Sequence, residues 1–295
     1  MRISLRNLRT AASCCFALFL CSTGISAADK TAANYWTVRR EAFTAYSQKQ
    51  YAACGTRFEE AARLNRWERG EDLYSSACCK ALAGDTDGAF GALRLALDLG
   101  YTKADTVASD SDLAPLHTDP RWTTLVDDFK KRRASVRESV NDQLASMYDE
   151  DQKERRETPR QEWSKRWPMI EAHDRERRHK ADEILRSGKK FVAEDYYNAA
   201  MLFQHGENLQ DIERAEELAL KAVELDPKHG AARWLVAAAR DRKLMRLGKP
   251  QLYGTQFVPG NDGKVVRYRV DPTVSDEERA KWNVPPLDDS AGVPH

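Results

Sequence analysis

The 295-residue chain lacks every short motif that usually announces a reaction. It has no nucleophile elbow, no P-loop and no dinucleotide fingerprint. There is no CxxC pair and no Cys/His spacing suited to zinc. His205, Asp241 and Asp151, the residues that could be considered as ligands, include no pair at the i,i+4 spacing of a helical metal motif, so neither a metal nor another cofactor is implied. Net charge is also nearly missing: 47 basic residues stand against 46 acidic ones, a formal +1. That balance argues against nucleic acid, which selects a basic surface. Beyond the N-terminus no apolar run reaches the roughly 20 residues of a membrane span. With 41% hydrophobic and 32% charged residues, the chain is too charged for a multi-span membrane protein and too apolar for full disorder.

What is present begins with an address. Arg2, Arg6 and Arg9 make a positive start, an apolar stretch is densest around residues 14–21, and small residues follow at Ser26, Ala27 and Ala28. This is the layout of a secretory signal peptide over residues 1–28, cut after Ala28 or one residue earlier. Lipid attachment at Cys21 is disfavoured by the bulky Leu20 before it. Loss of the three arginines leaves 44 basic against 46 acidic residues, a formal −2. The expected product is periplasmic or secreted, with no membrane insertion after signal removal. Three cysteines remain, Cys54, Cys78 and Cys79, an odd number for an oxidising compartment. Either all three are buried thiols, or Cys54 is bridged to Cys78 or Cys79, only one of which can face it.

Self-similarity carries most of the architecture. Apolar residues recur at helical spacing over residues 35–64, broken at 48–50, and again over 73–99, broken at Gly84 and Asp85. Cys54 aligns with Ala89, Phe58 with Leu93 and Ala61 with Ala96, each pair 35 residues apart. A third unit, AEELALKAVELDP over residues 215–227, places Ala215, Ala219 and Ala222 at the small positions and stops at Pro227. Helices are expected before it at 193–205 and after it at about 230–247. This pattern resembles the tetratricopeptide repeat, a helix-turn-helix unit of about 34 residues. The resemblance implies an all-α fold of tetratricopeptide-like repeats (an α-solenoid) with a concave side suited to a protein partner or peptide. Residues 101–126 look like the segment that often closes such a group in secreted bacterial proteins. Asp110 and Asp112 there lack the glycine turn and distal Glu of a calcium loop, which leaves capping and turn roles.

The remainder is charged, then polar. Residues 129–195 hold 18 basic and 15 acidic side chains with interleaved signs, which reads as mostly solvated helix surface. Val136, Val140, Leu144 and Met147 continue a helical stripe. A second helix is expected at 169–185, with Ile170, His173, Ala181, Ile184 and Leu185 as candidate buried positions. A hairpin is expected from strands at about 255–259 and 264–270, then a short helix capped by Ser275. The chain thus divides into the signal peptide, repeats with their closing segment at 29–128, a charged helical connector that starts the second domain at 129–192, repeat-like helices plus hairpin at 193–287, and a disordered tail at 288–295.

Asp151, Gln152 and Arg155, then Gln204 and His205, then Asp241 and Arg242, and finally GKPQLYGTQ at 248–256 follow one another in order. The series resembles an uncharacterised bacterial domain family with DQ, QH, DR and KPQxYGTQ motifs, often found beside tetratricopeptide repeats. That resemblance implies no activity, only positions: Asp151, Gln152, Gln204, Arg242, Gln251, Tyr253 and Gln256 as candidate binding residues. His205 and Asp241 are the candidate catalytic pair, His205 as acid or base oriented by Asp241 and Arg242 holding an anion. The competing reading is a latch, with Asp241 accepting from His205 or from Arg242's neighbours and Gln256 tying the hairpin to the helices. Either way His205, Asp241, Arg242 and Gln256 are expected to converge near Asp151 and Gln152. The function expected from the whole sequence is protein–protein interaction in the bacterial envelope. The alternative is a hydrolase-like or small-ligand activity centred on His205 and Asp241.

Overall fold

The structure is a computed structural model that describes residues 27–65, 67, 69–260 and 264–287; the expected signal peptide, apart from its last two residues, the hairpin tip and the tail at 288–295 lie outside them. Four helices come first in two antiparallel pairs: α1 (Ala27–Ser47) with α2 (Tyr51–Leu64), and α3 (Arg69–Leu82) with α4 (Thr86–Asp98). The polar turns are where the periodicity breaks. Asp85 caps α4 by accepting from Gly88 N. All six residues of the aligned pairs, Cys54, Phe58, Ala61, Ala89, Leu93 and Ala96, are buried. Small side chains there let neighbouring helices approach closely, and the larger one between fills the groove.

Cys54 and Cys79 are joined in a disulfide that ties α2 to α3, with Cα atoms 5.8 Å apart. Cys78, one position along α3, points elsewhere and is a buried thiol whose Sγ donates to Asp110 at 3.6 Å. Burial, and then the Asp110 charge, push that thiol well above its ordinary range, so it is inert towards the neighbouring bridge. Replacing both bridged cysteines by alanine is expected to cost about 3 kcal/mol, from the chain entropy released in the unfolded state. Denaturant melts of the double variant, beside a thiol count of one in residues 29–295 of the parent, check this.

The closing segment forms α5 (Ala104–Ser109), a 3-10 turn over Ser111–Leu116, and α6 (Arg121–Ser139). Asp110 caps the turn by accepting from Asp112 N at 2.9 Å and also receives the Tyr74 hydroxyl, while Asp112 receives Tyr46 at 2.7 Å. Both aspartates are thus used in capping and in holding tyrosines. Leu113, Leu116, Leu125 and Phe129 complete the first core. The expected boundary at 128/129 lies within α6, where Phe129 is fully buried in one core with the helices before it.

The second half contains α7 (Asp142–Glu157), a 3-10 turn at Arg160–Glu162, α8 (Trp163–Leu185), α9 (Ala193–Gln204), α10 (Leu209–Leu225) and α11 (Gly230–Arg246). The stripe through Val136 and Leu144 is broken at Val140, since the Asn141 side chain caps α7 by accepting from Gln143 N and Leu144 N. Helix α8 starts six residues earlier than expected and runs through Pro168. Proline removes only the hydrogen bond to Ser164, and both residues are exposed, so water can take the freed carbonyl. Along α8 the buried residues are Ile170, Asp174, Arg178 and Ala181; His173 is half-buried, and Ile184 and Leu185 only line the core. A core of Leu144, Ala199, Leu202, Ala215, Leu218, Leu235 and Ala238 joins α7, α9, α10 and α11.

The strands are shorter than the sequence suggests. β1 (Phe257–Pro259) pairs antiparallel with β2 (Val265–Arg267), Val258 opposite Val266. Beyond them α12 (Asp276–Lys281), capped by Ser275, packs against α1. The Trp67 indole donates to Ala280 O at 3.4 Å, and the Arg233 guanidinium lies 4.0 Å over the same ring. The connection between α2 and α3 is thereby clasped to α12, beside the contact of α12 with α1.

Candidate functional site

The motif residues assemble into two polar clusters joined by one arginine. In the first, Asp241 on α11 is fully buried and accepts from Leu252 N at 2.7 Å, Tyr253 N at 3.0 Å, Thr255 N at 3.0 Å and Thr255 Oγ1 at 2.8 Å. A single carboxylate thus organises the whole LYGT turn, whose amides would otherwise be stranded inside the protein. Gly254 sits at φ +88°, a region that favours glycine, with Arg267 and Leu287 within 3.4 Å of where a Cβ would stand. Gln251, also fully buried, clasps the turn from within: its Nε2 donates to Gln256 O and Tyr268 O, and its Oε1 accepts from Gln256 N at 2.8 Å. Tyr253 is buried against Ala237 and Val284. Gln256 donates to Ala238 O at 3.3 Å and so ties the start of the hairpin to α11.

The second cluster lies among α7, α8 and the end of α9. His205 Nδ1 is 3.1 Å from Asp151, which also receives Gln152 Nε2 at 2.9 Å and Arg155 at 2.5 Å. Arg155 reaches across to Asp174 at 2.7 Å, while Arg177 binds Asp174 at 3.2 Å and Glu154 at 2.9 Å. Burial is the largest influence on His205 and lowers its pKa; Asp151 opposes this, and the cations of Arg155 and Arg242 reinforce it. For Asp151 burial works against the charge, but the His205 and Gln152 hydrogen bonds and the Arg155 cation outweigh it, and its carboxyl lies below the usual range.

Arg242 bridges the two clusters. It donates to the main-chain oxygen of Gln204 at the C-terminal end of α9 and to Gln256 Oε1 at 3.1 Å. A cation at a helix C-terminus satisfies orphan carbonyls and complements the helix dipole. Among the described residues no carboxylate pairs with Arg242, and burial, then the cations of Arg246 and Arg155, bring its pKa down to about 10. It remains protonated at neutral pH.

The expected convergence therefore holds for Arg242 and Gln256, and for His205 with Asp151 and Gln152. It does not hold for the His205–Asp241 pair. Asp241 is turned towards the 252–255 turn because four donors there saturate it, while His205 is oriented by Asp151. Being fully buried, Asp241 faces no solvent space that His205 could share. Gln204 is buried too, as are Asp151, Gln251, Tyr253 and Gln256. Among the described residues no group of three or more His, Cys, Asp or Glu side chains is placed to hold a metal. The geometry is that of an interlock among α7, α8, α9, α11 and the hairpin.

The open surface lies elsewhere. A cleft of about 550 Å3 runs between α5–α6 and the helices α7, α9 and α11, lined in part by Lys103, Arg133, Tyr148, Tyr197, Asn198 and His229. The Tyr148 and Tyr197 rings are 5.8 Å apart, and His229 is 4.9 Å from Tyr197. Asn198 is 2% exposed, and its Oδ1 has no hydrogen-bond partner among the described residues. Sequence reasoning missed this cleft, since its residues come from six helices and their flanks and share no motif. The one available signal was the aromatic pair Tyr196–Tyr197, adjacent residues of which helical spacing can bury only part against one core. The chain matches no protein-family profile, no curated protein and no solved structure.

Proposed function

We propose that this chain is an exported tetratricopeptide-like solenoid that holds a protein partner or peptide in the bacterial envelope. The observation that carries the reading is the cleft between the two halves. Its tyrosines are large amphipathic rings on packed helices, the side chains that dominate binding energy at protein interfaces. Lys103, Arg133 and Arg137 with Glu71, Asp105 and Asp149 give it a polar rim of both signs. The 35-residue offset of buried small and large residues over α2 and α4 supports the repeat architecture. On α1 the rings of Phe43 and Tyr46 are 50% and 38% exposed, so apolar surface is also left uncovered on the first unit. The basic start and apolar stretch within residues 1–28 support export.

Crosslinking capture from the periplasmic fraction tests this, with a photoreactive residue at position 148. A discrete adduct is expected, and Tyr148→Ala should weaken binding of that partner by about 2 kcal/mol, the scale of an interface anchor. Labelling no stronger than at an exposed control position on α10 would reject the cleft as the binding surface.

A further inference from the structure

The start of α8 carries two tryptophans for which the core has no use. The helix buries Ile170, Asp174, Arg178 and Ala181, positions that share one face at helical spacing. Trp163 and Trp167 extend that same face towards the N-terminus, past the point where the neighbouring α7 ends at Glu157. No described side chain from 161 to 169 is buried, and Trp167 and Met169 are 37% and 43% exposed. The two indole rings lie 6.0 Å apart as a pair. Around them stand Arg156, Lys165 and Arg166, none of which has an ion-pair partner among the described residues. Glu162 is the acid close by in the chain, since Glu157 is engaged by Lys153 at 4.0 Å. The tip of the α7–α8 hairpin is therefore aromatic and cationic at once, in a chain that overall carries almost no net charge.

We infer that this tip docks on an anionic bilayer surface. Indole rings combine a large apolar face with one N–H donor and favour the headgroup region over either water or hydrocarbon. Unpaired Lys and Arg beside them meet lipid phosphates, and the attraction falls off within a Debye length. Charge complementarity favours this occupant over a neutral protein face, because the uncompensated cations would have to be desolvated there without a partner. Docking is peripheral: no described helix is long and apolar enough to cross a membrane. The surface is separate from the cleft, so the two functions are testable independently.

The experiment is flotation of the chain from residue 29 onward with vesicles of equal parts phosphatidylglycerol and phosphatidylcholine, against phosphatidylcholine alone. The parent is expected to float with the first and not the second, and to be released by high salt. Lys165→Gln with Arg166→Gln should lower the partition coefficient roughly 30-fold, and Lys165→Gln alone roughly fivefold. Trp167→Ser should weaken binding and remove a blue shift of tryptophan emission, with an unchanged melting temperature. Absence of flotation with the anionic vesicles, or equal flotation with both kinds, overturns the inference. So does retention of full binding by a folded double variant. Capture of a protein that depends on Trp167 while vesicles stay unbound would assign the tip to a protein interface instead.

Discussion

Asp241→Ala is expected to release the 252–255 turn and destabilise the protein by about 3–5 kcal/mol, because one buried amide, two partly buried ones and a hydroxyl lose their common acceptor. The loss should be local before it is global. Amide exchange at Leu252, Tyr253 and Thr255 should accelerate far more than exchange in α2 or α3, which are held by their own core and a disulfide. Asp241→Asn keeps one acceptor oxygen and should fall between the variant and the parent. A denaturation midpoint for Asp241→Ala corresponding to a loss below about 1 kcal/mol would show that the turn does not depend on this carboxylate.

The second large effect is expected at Asp151. Its replacement by alanine strips the acceptor from His205, Gln152 and Arg155 at once, and removing one member of a buried ion cluster costs about 3–5 kcal/mol. The pH profile distinguishes this cluster from the turn. His205 has a lowered pKa in the folded protein, so on acidification the unfolded chain takes up this proton first. Its contribution to stability is complete above the unfolded value of about 6.5 and is lost as pH falls from there towards the folded pKa. Asp151 is lowered too, and adds a second loss of the same sign below about 3.9. Thermal melts from pH 8 to 5 should therefore show a declining melting temperature in the parent and a flatter curve in His205→Gln. Parallel curves for the two would remove His205 as the source of that slope.

The helices were legible because their signals are local. Polar breaks at 48–50 and at Gly84 and Asp85, the stop at Pro227 and the small residues Ala215, Ala219 and Ala222 each act within one or two turns of chain, and α1–α4 and α9–α11 follow them. The charged middle was less legible. Asp151, Glu154 and Arg155 have the spacing of an exposed helix face, yet they meet Asp174 and Arg177 of a second charged helix and are largely enclosed together. Nothing in either helix alone states that its partner is equally charged. The partner of Asp241 was hidden for a different reason. Its ligands are main-chain amides, which every sequence has, and only the tight turn at Gly254 presents them to one carboxylate.

The contact between α1 and α12 changes how load passes through the molecule. Stacked repeats, gripped only by their neighbours, transmit tension serially and extend one unit at a time. Here the Trp67–Ala280 hydrogen bond spans 213 positions of chain, and the stacked Arg233 reinforces it. Tension applied at α1 and α12 is expected to load their own contact first, with the Trp67 clasp beside it, and the helices between only once that contact opens. The molecule is expected to behave mechanically as a buckle, its intervening helices shielded from pulling forces for as long as the α1–α12 contact holds.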